Sequence, residues 1–106
     1  MIDPVYRLIG LAQRANRVLS GSERLPESIK KGRGTNLVIA DNSPDKVKER
    51  YAQAAKQAGV SIRVYGTKEE LGQSMGKGIR SAVLITDKGF GEAIFKRIDS
   101  QTKMKE

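Results

Sequence analysis

The stretch NLVIADNSPDKVKERYAQAAKQAGVSIRVYG, Asn36 to Gly66, decides the fold. Its opening NLVIAD is a short apolar run between polar residues, the pattern of a strand covered on both faces. A punctuated helix follows: Ser43 as candidate N-cap, Pro44 for the first helical position, Asp45 suited to the positive helix end, and Gly59 able to close the far end in a left-handed conformation. Val47, Tyr51, Ala54 and Ala58 recur at helical spacing and mark the buried stripe. SIRVYG then alternates with period two, which puts Ile62 and Val64 on one face of a strand and Arg63 and Tyr65 on the other.

The same alternation extends in both directions. Upstream, Pro4 can open a helix on which Val5, Leu8, Ala12 and Ala15 recur. Val18 and Leu19 make a brief strand before the Ser20-Gly21-Ser22 turn. A second helix, starting at Pro26, runs to about Lys31, with Leu25 and Ile29 four apart and Gly32 and Gly34 ending it. Downstream, Thr67 and Glu70 form a capping box for a short helix ending at Gly76. SAVLITD (81–87) is a buried strand, and Asp87 caps a last helix that carries Phe90, Ile94 and Ile98. Five helices alternating with four strands predict an α/β protein: a three-layer α/β/α sandwich around a mixed or largely parallel four-stranded sheet. Residues 1–98 are expected to form a single domain. Residues 99–106, DSQTKMKE, are poor in apolar side chains and are expected to be a flexible tail.

The chain has 106 residues, with 20 Lys+Arg against 12 Asp+Glu, a formal charge of +8, and neither Cys nor His. That length supports one core without covalent staples. The charge favours polyanions, nucleic acid first among them. Without Cys or His there is no thiol nucleophile, disulfide or Cys-based zinc site. The amino terminus lacks the plan of a secretion signal, and no segment approaches the roughly 18 apolar residues of a membrane span. A cytoplasmic monomer without membrane contact, metal, cofactor or small-molecule substrate is expected. The best enzymatic candidate, TDKGFG around Asp87 and Lys88, is outweighed by a plain helix cap with two packing glycines. Asp41 and Asp45 are too few ligands for a cation.

Between Arg14 and Arg33 lie six basic residues and two acids, a local excess of +4 and thus half the net charge in a fifth of the chain. Within it, RVLSGSER (17–24) surrounds a bare turn with arginines. Exposed amides there, and those opening the second helix, could donate to phosphate or base edges. Gly21, Ser22 and Arg24 are the central RNA-binding candidates, joined by Arg17, Lys30 and Arg33 and, with less weight, by Glu23 and Glu27. A second segment, GKGIRSA (76–82), offers Lys77, Ile79 and Arg80 without an acid, and the two segments are expected to share one surface. With two Phe and three Tyr, stacking platforms are scarce, which favours a shaped RNA over splayed single strands. A protein module whose basic face meets an acidic partner is the alternative.

LIGLAQRANRVLSG, KKGRGTNLVIADNS, GVSIRVYGTKEELGQSMGK and AVLITDKGF together resemble the superfamily of ribosomal proteins L-seven-Ae and L-thirty-e, most closely its small bacterial YlxQ-like branch. The resemblance runs from about Leu8 to Ile98. It implies an α/β/α sandwich, no catalysis, and binding of kink-turn RNA, a sharply bent helix-bulge-helix element. In that superfamily a Gly-x-Asn-Glu-x-x-Lys pattern opening the second helix holds the kink, supported by the loop before the last strand. Carried across, the glycine falls on Gly21, the asparagine on Glu23, the glutamate on Arg24, the lysine on Glu27 and the loop on residues 76–82. Only the glycine is kept. Because the asparagine and glutamate read guanine edges, the changes predict RNA affinity with a weaker or altered kink-turn preference.

Overall fold

NLVI and AVLI are buried at every residue, and they form the two central strands of the sheet. The computed structural model describes residues 3–21 and 24–104, the last three by backbone alone. Its elements run α1 (Pro4–Arg14), β1 (Val18–Ser20), α2 (Leu25–Lys30), β2 (Asn36–Ile39), α3 (Asp45–Ala58), β3 (Ser61–Val64), α4 (Lys68–Ser74), β4 (Ala82–Ile85) and α5 (Lys88–Met104). The strand order is β1-β4-β2-β3. β4 pairs antiparallel with both β1 and β2, while β2 and β3 are parallel, so the sheet is mixed.

Successive strand residues face opposite ways, and the core divides accordingly. Val38, Ala40, Val83 and Ile85 meet Val5 and Ile9 of α1, Leu71 of α4 and Ile94 of α5. Leu37, Ile39, Ala82 and Leu84 meet Leu25 and Ile29 of α2 and Tyr51 and Ala55 of α3. The result is a three-layer α/β/α sandwich. Gly59 closes α3 at φ +70°, Thr67 Oγ1 accepts from the Glu70 amide at 3.0 Å, and Asp87 Oδ2 accepts from the Phe90 amide at 2.9 Å.

Three sequence expectations need correction. Ser43 does not cap α3. Pro44 occupies that position in an extended conformation, and the buried Ser43 donates its hydroxyl to the Ser81 carbonyl at 3.2 Å, tying the helix entry to the approach of β4. α2 begins at Leu25, one residue before Pro26, because proline is tolerated throughout a first helical turn. α5 does not end at Ile98 but runs to Met104, across most of the expected tail. Polar contacts hold its last turns. Arg63 grips Asp99 through two bonds of 2.8 and 3.1 Å, Gln101 donates to Asp3 at 3.1 Å, and the Tyr65 hydroxyl lies between Asp3 and Gln101.

Candidate nucleic-acid interface

The pairing of Ser20 with Val83 brings the Gly21 turn beside the chain entering β4. There Arg80 joins the two segments. Its Nε donates to Ser20 Oγ at 3.3 Å, and its Nη1 donates to the carbonyls of Gly78 at 3.2 Å and Ile79 at 3.0 Å. Gly21 lies directly beneath the guanidinium: a Cβ there would stand 3.0 Å from Arg80 Nε, and the local φ of +76° disfavours any other residue. The turn is bare so that an arginine can lie across it.

The loop is also fixed from below. The Lys77 amide bonds the Gly72 carbonyl at 2.9 Å and the Arg80 amide bonds the Lys68 carbonyl at 3.0 Å. Gly72 is buried, and a Cβ on it would fall 1.9 Å from the Gly78 carbonyl oxygen, so the loop backbone rests directly on α4. Held this way, the loop presents an exposed Lys77 and leaves Ile79 59% exposed. Arg80 Nη2 has no partner among the described residues and remains able to donate to an incoming oxygen.

Of the predicted site residues, Gly21, Lys77, Ile79 and Arg80 come together at this end of the sheet. Arg24 is exposed at the start of α2, near Gly21 in the chain. Ser22 and Glu23 lie outside the described residues. Glu27 sits on α2, its carboxylate 3.5 Å from Lys31 Nζ; both are well exposed, so the pair contributes little to stability. Arg17, Lys30 and Arg33 do not join the Gly21 surface. The Arg17 carbonyl accepts from the Thr86 amide and the Thr35 amide donates to the Ile85 carbonyl, so these loops flank the opposite end of β4. At roughly 3.3 Å per residue, the backbone at Arg17 is about 13 Å from Gly21. The cations are neighbours in sequence, but β1 and α2 carry them the length of the sheet. Arg14, ending α1, and Lys30 and Lys31, ending α2, also belong to the Arg17 end.

The expectation of amides opening the second helix weakens too. α2 has six residues and Pro26 contributes no amide hydrogen, so the helix start offers few free amides. Sequence reasoning missed the supports Ser20, Lys68 and Gly72. The three glycines of GQSMGKG (72–78) were the available signal, since such density before a strand marks a backbone packed closely against something. At the opposite edge of the same sheet end, burial raises the Tyr6 and Tyr65 hydroxyl pKa values, with bonds to Glu70 and Asp3 adding to it. The Asp87 region serves structure: its carboxylate caps α5, and Gly91 lets the helix approach Asn36, whose Oδ1 would be 1.9 Å from an added Cβ. No group of three or more His, Cys, Asp or Glu among the described residues could hold a metal ion, and no described helix is long and apolar enough to cross a membrane.

A family model described as Ribosomal protein L7Ae/L30e/S12e/Gadd45 family matches residues 3–95. The chain belongs to this family. It is 26% identical over 94 residues to the RNA-binding protein YlxQ of Bacillus subtilis, covering 89% of this chain and 94% of that one. It is 36% identical over 87 residues to the large ribosomal subunit protein eL30 of Methanothermobacter thermautotrophicus, covering 80% of this chain and 89% of that one. A solved protein of unknown function from Bacillus halodurans shares the fold, with a TM-score of 0.86 at 24% identity over 92% of this chain and 99% of its own. Membership fits the observed layers and sheet.

Proposed function

We propose that this member of the L7Ae/L30e family is a non-catalytic RNA-binding protein that grips a structured RNA at the Gly21 end of its sheet. One observation carries the reading: Arg80 ties the Gly21 turn to the Gly76–Ala82 loop, so backbone, cation and apolar side chain stand ready on one fixed surface. Arg24, Lys77 and Arg80 meet phosphate or base edges, and Ile79 packs on a sugar or an unstacked base. The small number of aromatic residues suits an RNA read by shape rather than one stacked base by base. Discrimination for the standard kink-turn is reduced, because Glu23 and Arg24 cannot reproduce the guanine-edge contacts of an asparagine and a glutamate. Each such contact contributes about 1–3 kcal/mol of selectivity.

The test is a titration of labelled kink-turn RNA and of plain duplex at two salt concentrations, repeated with Arg24→Glu and Lys77→Glu. Binding should weaken steeply with salt, both charge reversals should lower affinity about tenfold or more, and kink-turn and duplex should differ by less than about a hundredfold. Unchanged affinity in both variants would move the site elsewhere, and failure to bind any RNA at low salt would end the RNA reading. A partner retained in pull-downs after nuclease treatment would favour the acidic-protein alternative.

A further inference from the structure

The fold sends Arg14, Arg17, Lys30, Lys31 and Arg33 to the end of the sheet opposite Gly21, and Lys88 emerges there just past Thr86. All six are exposed. Of the nearby acids, Asp87 accepts from the Phe90 amide and Glu27 faces Lys31, while Glu92 is exposed on α5 beside Asn36, so six cations stand against three acids at this end. This cluster has no part in the surface that joins Gly21 to Arg80, yet it holds most of the local charge that singled out the Arg14–Arg33 segment.

Two observations say what it fits. Among the described residues the exposed large apolar side chains are Leu11, Val64 and Ile79; Leu11 stands one helical turn before Arg14, and none lies within 15–17 or 30–35. An interface with a folded protein would need apolar or aromatic anchors at its centre, whereas phosphates need only reachable cations. The cluster is also connected to the other end. Arg24, Glu27 and Lys31 follow one another at three- and four-residue spacing along the exposed side of α2, so a line of charged side chains, two cations with one acid between them, runs from one end to the other. The span of about 13 Å corresponds to about four base-pair steps along the axis of a duplex, well within one continuous stem.

We propose that the Arg17 end is a second contact for the same RNA: a double-stranded stem continuing from the element held at Gly21 passes along α2 and rests its phosphates on Arg17, Lys31 and Arg33. The inference rests on the proposed function, because the stem is a continuation of that RNA. The contact is independent of sequence and reads only backbone charge.

Two RNAs separate this contact from the first, one ending just beyond the bound element and one carrying about ten further base pairs. Each is titrated against the full chain, the Arg17→Glu/Arg33→Glu double variant, its glutamine counterpart and Lys77→Glu, with circular dichroism confirming the fold. The long RNA should bind the unaltered protein about tenfold tighter at low salt. The double reversal should erase that gain, reduce the slope of log affinity against log salt by about two, and leave the short RNA within twofold; the glutamine variant should do the same more mildly. Lys77→Glu should weaken both RNAs. The proposal is overturned if the double reversal keeps the stem-length gain, if it weakens both RNAs alike, or if a single-stranded extension gives an equal gain. A Lys77→Glu variant that binds both RNAs normally would instead strike the Gly21-end reading, so the two failures are distinguishable.

Discussion

The two ends of the sheet are built from opposite materials. At the Gly21 end the backbone is bare and fixed, its principal cation is turned inward across a glycine, and an isoleucine stands out toward solvent. At the Arg17 end, exposed cations project from the loops around Ile85 and Thr86. One end offers shape and the other offers charge. A fixed backbone depends on packing, and only the few cations set into it respond to salt, whereas a surface of exposed charge acts at longer range and fades within a Debye length of about 8–10 Å at moderate ionic strength. Counting basic residues along the chain therefore finds the more charged end, not the end whose backbone is fixed in shape.

The sharpest way to break this contrast is to lift the loop off its support. Gly72→Ala places a methyl against the Gly78 carbonyl oxygen, a backbone atom that cannot turn aside. Chemical denaturation should show a loss of about 2–3 kcal/mol, as for an overpacked core, and RNA affinity should fall even where the variant remains folded. Charge reversal of Arg17 or Arg33 should change stability by less than about 0.5 kcal/mol, because neither side chain is buried.

A second comparison keeps charge constant. Arg80→Lys retains the cation but loses the fork that spans Ser20, Gly78 and Ile79, and isothermal titration should show affinity for a short structured RNA falling about tenfold. Arg33→Lys should change it by less than twofold, since a phosphate met by a flexible side chain needs only the charge. Equal effects of the two substitutions would erase the distinction between the ends. The smallest expected effect is a gain: Glu27→Gln removes the one acid on the strip along α2 and should tighten binding of a long-stemmed RNA about twofold, on the order of 0.5 kcal/mol.

The layers of the fold were legible because they follow from local chemistry. NLVI and AVLI could only be strands covered on both faces, and Gly59, Thr67 and Asp87 mark helix ends by conformation and hydrogen bonding that depend on a few neighbouring residues. The end of α5 was not legible, since its last turns are fastened by Asp99 to Arg63 and by Gln101 to Asp3, partners 36 and 98 positions away. The capping role expected of Ser43 failed for a similar reason: its partner is Ser81, 38 positions on. For the candidate site, the adjacency of the Gly21 turn and the 76–82 loop could be anticipated from loops sharing one end of a sheet. The division of the cations could not, because it depends on how far β1 and α2 carry the chain before Arg33. The inward turn of Arg80 depends on Gly21 and Ser20, 59 and 60 positions earlier.

The most direct measurement is a titration of a short structured RNA into isotope-labelled protein, followed by amide chemical shifts. Large, early shifts at Gly21, Ile79 and Arg80, with Arg17, Arg33 and Thr35 nearly still, are what a shaped Gly21 end requires. Shifts confined to Arg17, Arg33 and Thr35, with Gly21 and Arg80 unmoved, would contradict it.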